Sequence, residues 1–180
     1  MRKRLASIFG ALAIAGALVI GLQGPAQAGV WQITDGFEVN PAAVWSFARV
    51  GTGGGGFDIN AGTARTPYND AWLTIQSNGW SSVGRSVHIT PVQFHQTTCA
   101  ARIYVLPLGV AKVNFEIIQP SSWRYISLKT VTLSGSSYQA VITNSWNAVD
   151  IDVFVRVSLI YNGGFSAARV DDLLVQCSYV

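Results

Sequence analysis

Cys99-Ala100-Ala101-Arg102-Ile103-Tyr104-Val105 decides the fold. Cys99, Ala101, Ile103 and Val105 recur at every second position, so an extended chain turns them all to one face and leaves Arg102 and Tyr104 on the other. Val113-Asn114-Phe115-Glu116-Ile117 repeats the pattern, with Asn114 and Glu116 set against an apolar row. Outward from these stretches, period-2 patterning runs through nearly the whole chain. No run of a dozen residues carries the 3.6-residue stripe of an amphipathic helix.

The alternation predicts strands over residues 45–50, 71–76, 82–89, 98–106, 112–119, 123–133, 137–142, 151–161 and 167–178. Turn chemistry separates them, as in Ser77-Asn78-Gly79, Pro107-Leu108-Gly109, Pro120-Ser121-Ser122 and Asn162-Gly163-Gly164. Gly53-Gly54-Gly55-Gly56 reads as a flexible loop, because no Gly-Lys-Ser/Thr follows to make a phosphate cradle. Eight or nine strands with frequent turns make an all-β chain, a two-sheet antiparallel β-sandwich of the jelly-roll kind.

At the N-terminus, Arg2-Lys3-Arg4, an apolar run from Leu5 to Leu22 and Ala26-Gln27-Ala28 have the three-part form of a secretory signal peptide. Residues 1–28 are therefore expected to be cleaved near Ala28, leaving 29–180 as a single secreted domain. A retained membrane anchor is the alternative; glycines interrupt the apolar run, and Gly24-Pro25 follows it. Losing Arg2, Lys3 and Arg4 from 12 basic residues leaves nine against nine acidic ones. A neutral chain without a basic cluster excludes nucleic acid and anionic membranes as electrostatic partners. Cys99 and Cys177, the two cysteines of an exported chain, are expected to form a disulfide.

Hydrolytic machinery is hard to assemble. The two histidines, His88 and His95, accompany no Gly-x-Ser-x-Gly elbow, and a glycosidase pair would have to be drawn from Glu38, Glu116 and scattered aspartates. The chain is expected not to be an enzyme, a small polysaccharide lyase or hydrolase being the less favoured reading. Aromatic residues are better supplied, with six Trp and six Tyr. In 123–128 the inward pair is read as Ile126 and Leu128, leaving Trp123 and Tyr125 outward. If strands 98–106, 112–119 and 123–133 pair as hairpins, Arg102, Tyr104, Asn114, Glu116, Trp123 and Tyr125 share one sheet face. Flat rings would cover the apolar face of a sugar while Asn, Arg and Glu bind its hydroxyls; the alternative is that these side chains simply cover the second face. Trp72, Trp80 and Trp146 could instead line a loop-edge site, and Trp31 and Trp45 read as core or strand-end packing.

Acidic residues crowd the two ends of the folded part: Asp35 and Glu38 open it, and Asp171 and Asp172 close it. Such oxygen-rich ends suit Ca²⁺ if they meet, although carboxylates accepting backbone N–H bonds in turns are the alternative. In a regular strand Asp171 and Asp172 point to opposite faces, so at most one serves as a side-chain ligand. Glu38, Asp172 and Asp35 are the candidate metal ligands.

Gly36-Phe37-Glu38, a following Trp45, the row of short strands and a closing Val170-Asp171-Asp172-Leu173 resemble carbohydrate-binding modules of the family 4/9 type. The resemblance covers most of the chain after residue 28. It implies a galactose-binding-domain-like jelly roll, a poly- or oligosaccharide ligand on a concave sheet face or at the loops, and a structural calcium near the paired ends. It marks Glu38 and Asp172 for calcium, and Trp123 and Tyr125 for sugar. The expected function is non-catalytic carbohydrate binding; the alternative is a secreted protein-protein interaction or structural envelope protein.

Overall fold

The computed structural model describes residues 29–90, 96–148 and 152–179. The expected leader, residues 1–28, and His95 lie outside this set. Among the described residues eleven strands form the fold: β1 (Gly29–Asp35), β2 (Ser46–Gly51), β3 (Gly54–Ile59), β4 (Asn69–Ile75), β5 (Gly79–His88), β6 (Thr97–Gln119), β7 (Arg124–Gly135), β8 (Gln139–Ile142), β9 (Trp146–Asn147), β10 (Asp152–Ile160) and β11 (Ser166–Tyr179). One helical turn, α1 (Pro41–Val44), joins β1 to β2.

Two antiparallel sheets make the β-sandwich. In sheet I, β11 pairs with β4 and then β1 along one edge and with the first half of β6 along the other; β3 extends the β4 side, and β8 and β9 the β6 side. Sheet II runs β2-β5-β10-β6-β7. The alternating apolar residues of both sheets, among them Ile103, Val105, Phe115, Ile117, Val155, Val157, Leu173 and Val175, meet in one buried core. Each such side chain contributes roughly 1.5–3 kcal/mol by leaving water.

The principal departure from the sequence reading is β6. Residues 98–106 and 112–119 are one continuous strand, and Pro107-Leu108-Gly109 is a crossing rather than a turn, with Gly109 at φ 93°. Residues 97–108 pair with β11 in sheet I, whereas 112–118 pair with β10 in sheet II. The period-2 pattern survives the bend, so inward residues stay inward, but the outward residues of the two halves lie on opposite faces of the sandwich.

Gly54, Gly55 and Gly56 lie in β3 rather than in a flexible loop. A Cβ on Gly55 would stand 2.4 Å from Phe47 Cε2 and 2.6 Å from the Trp72 carbonyl oxygen, so glycine is what lets this edge strand lie flat against its neighbours. β1 was not among the expected strands, and its pairing of Asp35 with Leu173 brings the two acidic ends together. Cys99 and Cys177 face each other across β6 and β11 as a disulfide, with Cα atoms 4.0 Å apart.

Candidate functional site

Register places the outward residues of sheet II in rungs that cross all five strands. One rung reads Val50, Trp80, Ile160, Lys112, Thr132; the next reads Ala48, Ser82, Ser158, Asn114, Thr130; the third reads Ser46, Gly84, Arg156, Glu116, Leu128. A fourth joins Ser86, Phe154, Ile118 and Tyr125. From the Trp80 rung to the Phe154 rung is six residues of β10, about 20 Å of extended strand.

Short side chains fill the second rung, and Arg156 leans over it until its guanidinium carbon lies 5.6 Å from the centre of the Trp80 ring. That contact explains why Ser82 and Ser158 are buried on an outward face. Arg156 is held in turn by an ion pair from its Nε to Glu116 Oε2, Glu116 being only 2% exposed in its side chain. Glu116 is thus a buried partner of Arg156 rather than a free ligand for sugar. Thr130 donates to Asn114 Oδ1 at 2.8 Å, orienting the Asn114 amide beside them.

The opposite end of the face is aromatic. Gly84 leaves room for Phe154 to lie on the sheet, since a Cβ there would stand 2.7 Å from its ring. Trp123 meets Phe154 edge-on at 5.7 Å. The Trp123 backbone is left-handed, at φ 54°, and its N–H donates to the Gln119 carbonyl at 2.9 Å, so a tight turn presents the indole. Trp123 is 64% exposed and Tyr125 54% exposed. A register shift where Ser127 opposes Ile117 and Tyr125 opposes Ile118 makes Ile126 the extra residue of a bulge. Consequently Ser127 faces inward and Leu128 outward, reversing the expectation that Leu128 joins the core.

The six proposed sugar-face residues therefore do not share one surface. Asn114, Glu116, Trp123 and Tyr125 lie on the outer face of sheet II, while Arg102 and Tyr104 lie on that of sheet I. Phe154 and Arg156 escaped notice, although the alternation Val153-Phe154-Val155-Arg156-Val157 carried the signal. Trp72, Trp80 and Trp146 do not form a loop-edge site: Trp146 is buried in the core, Trp72 lies against Gly56 on sheet I, and Trp80 belongs to sheet II. Trp45 is core, stacked on Phe37 at 4.3 Å. His88 pairs with Asp152 at 2.9 Å, both side chains well exposed.

The second cluster lies where β1, the β3–β4 connection and β11 meet. At Asp172 the strand is left-handed (φ 50°) and its register with β6 slips between Asp171 and Leu174. This bulge cancels the alternation expected of a regular strand and turns both carboxylates toward Thr66. The Thr66 Oγ1 lies 3.0 Å from Asp172 Oδ1, 3.2 Å from Glu38 Oε1, 3.4 and 3.5 Å from the two Asp171 oxygens and 3.5 Å from the Gly36 carbonyl. One hydroxyl proton serves one of these five acceptors at a time.

Glu38 Oε2 is buried without a hydrogen-bond partner, and a Cβ on Gly36 would approach Thr66 Oγ1 to 2.9 Å. Asp171 is fully buried and accepts from the N–H groups of Arg65, Thr66 and Asp172 at 2.7, 3.1 and 2.7 Å. Burial pushes its pKa up to about 6, with the Asp172 charge adding to the rise while the Thr66 and other backbone N–H bonds oppose it. Asp35 stands apart from this oxygen set. Its carboxylate accepts from Phe37 N and Trp45 Nε1 and pairs with Arg85, so Asp171 takes the place expected of Asp35. Among the described residues no group of three His, Cys, Asp or Glu stands at finished metal-ligand spacing. The cluster nonetheless leaves Glu38 Oε2 without a partner amid several other oxygens.

No protein-family model and no curated protein matches the chain. Solved structures do. A family 61 carbohydrate-binding module in complex with β-1,4-galactotriose aligns over 78% of this chain and 92% of its own, with a TM-score of 0.55 and 10% identity. The C-terminal family 22 carbohydrate-binding module of a Clostridium thermocellum protein aligns over 79% and 90%, with a TM-score of 0.55 and 13% identity. A family 11 module from Clostridium thermocellum, in complex with a β-1,3-1,4-mixed-linked tetrasaccharide, aligns over 82% and 95%, with a TM-score of 0.50 and 11% identity. At these identities the likeness is one of fold: the chain has the jelly-roll β-sandwich of carbohydrate-binding modules.

Proposed function

We propose that this protein is a secreted, non-catalytic carbohydrate-binding module that takes a linear oligo- or polysaccharide on the outer face of sheet II. The observation that carries the reading is the pair of exposed rings, Trp123 and Tyr125, fixed by a left-handed turn and by Phe154 at one end of a face whose other end is Trp80. Rings held rigidly in water cost little ordering entropy on binding, and their faces suit the C–H surface of a pyranose. Between them Asn114, Lys112 and the Arg156 guanidinium held by Glu116 supply hydrogen-bonding groups for hydroxyls. The length of the face favours an oligosaccharide over a single sugar. The ligands of the similar folds, β-1,4-galactotriose and a β-1,3-1,4-mixed-linked tetrasaccharide, support the same class.

Glu38, Asp171 and Asp172, with the Gly36 carbonyl and Thr66 Oγ1, would hold a structural Ca²⁺. When bound, the ion supplies the positive charge that three clustered carboxylates call for, with Arg65 already paired to Asp172. Kinship with the family 4/9 type, cleavage near Ala28 and a single domain over 29–180 complete the proposal; the disulfide, of a kind that persists in oxidising compartments, supports export.

Affinity electrophoresis through gels containing β-galactan, xylan, mixed-linked β-glucan or cellulose derivatives tests the reading. At least one polysaccharide should retard the protein. W123A and Y125A should each weaken that retardation by about 2 kcal/mol, roughly 30-fold in Kd. Retardation by none of them, or an unchanged response in the doubly substituted protein, refutes it.

A further inference from the structure

We propose a second ligand site, on the opposite face of the sandwich, that takes a carboxylate-bearing sugar such as a uronic acid. It is a depression of about 360 Å³ on the outer face of sheet I. Register explains its shape. On one rung Arg102 stands between Ile142 and Leu174; on the next, Ala100 stands beside Gln176. The methyl group of Ala100 makes a low floor between longer side chains. The gap between β8 and β9 opens the side where Ser145 lines the wall. The disulfide of Cys99 and Cys177, one residue from Ala100 and Gln176, fixes the floor rung.

Charge selects the ligand. Arg102 Nε is buried and has no hydrogen-bond partner. The Arg102 guanidinium lies 5.2 Å from the centre of the Tyr104 ring, which also carries Arg65 at 3.8 Å. Arg65 spends its charge on Asp172, whereas among the described residues no ion pair holds Arg102 and no carboxylate lines the depression. A planar guanidinium with donors to spare recognises a carboxylate through paired N–H bonds. Thr98, Ser145, Ser178 and the Gln176 amide offer partners for hydroxyls. Ile142, 54% exposed, and Leu174 offer apolar cover for one face of a ring. One cation amid neutral donors matches a monoanionic sugar better than a phosphate monoester, which carries nearly two charges at pH 7, and the planar guanidinium fork matches a planar carboxylate. Because the two sites face opposite ways, a single molecule can bridge a neutral and an acidic glycan.

Isothermal titration of the purified protein with trigalacturonate tests this, run beside R102M, A100L and the W123A/Y125A double variant. R102M removes the charge, and A100L fills the floor while leaving Arg102 in place. The expected result is binding by the wild type and by W123A/Y125A alike, with at least a tenfold loss in both R102M and A100L. If circular dichroism shows R102M unfolded, A100L decides. No binding by the wild type overturns the proposal, as does undiminished binding by A100L. So does loss confined to W123A/Y125A, which would assign the acidic sugar to sheet II, or full competition by equimolar acetate, which would mark an unspecific anion site. Neutral-polysaccharide retardation by all four proteins is scored separately, so failure of this site leaves the sheet II reading standing and the converse.

Discussion

Glu116 and Arg156 allow stability and ligand binding to be separated by one thermodynamic cycle. In E116A the Arg156 guanidinium, 19% exposed, loses the carboxylate it is paired with. Breaking a fully buried pair costs about 3–5 kcal/mol, and the residual hydration of Arg156 places this case at the lower end, about 3 kcal/mol. For a domain of this size that is a fall in Tm of roughly 6–12 °C. R156M should cost a similar amount by stranding the Glu116 carboxylate. In the double variant E116L/R156M both charges are replaced by apolar groups of comparable volume, and stability should return to within about 1 kcal/mol of wild type. Polysaccharide retardation should not return, because the polar centre of the face is gone and Trp80 has lost the guanidinium beside it. Urea denaturation followed by tryptophan fluorescence measures the first quantity and affinity electrophoresis the second. A double variant as unstable as the sum of the singles would refute the buried-pair argument; one that binds like wild type would remove the pair from the site.

Four further outcomes are expected. Saturating Ca²⁺ at about 100 times its Kd should stabilise by about 2.7 kcal/mol, with EDTA reversing the gain and D171A abolishing it; a melting curve indifferent to EDTA counts against the ion. Removing the disulfide as C99A/C177A frees a separation of 78 residues and should cost about 4.5 kcal/mol in the chain-entropy estimate, read as a lower urea midpoint. G55A should destabilise by about 3 kcal/mol or prevent folding, because the Trp72 carbonyl that a Cβ would meet is backbone and cannot yield; G164A, with nothing within 4 Å, should stay within about 0.5 kcal/mol of wild type. The Tyr138 hydroxyl donates to Asp70 Oδ2 at 3.0 Å and lies 3.1 Å from the Thr63 carbonyl, tying the β7–β8 turn to β4; burial and the Asp70 charge push its pKa up, so Y138F should cost about 1.5 kcal/mol by thermal melting without a change in ligand binding.

Sequence periodicity by itself determined that the chain is a β-sandwich and which residues of its most regular strands line the core, because alternation is a local property that every strand writes in its own residues. Cys99, Ala101, Ile103, Val105, Val113, Phe115 and Ile117 could be placed inward before any pairing was known. The crowding of carboxylates at both ends of the folded part was legible as well, but their meeting rests on the pairing of β1 with β11, a strand the alternation did not mark. Only the tertiary structure decided which outward residues share a surface. The passage of β6 between sheets separates Arg102 and Tyr104 from Trp123 and Tyr125 with no break in the apolar period, and two bulges, at Ile126 and at Asp171–Asp172, each shift side chains by one face. A bulge inserts one residue into a pairing, and pairing belongs to two strands at once. No single strand's residues record it. The buried Glu116–Arg156 contact and the exchange of Asp171 for Asp35 in the oxygen cluster depend on distances between segments far apart in the chain, so they too were fixed only when the sheets closed on their common core.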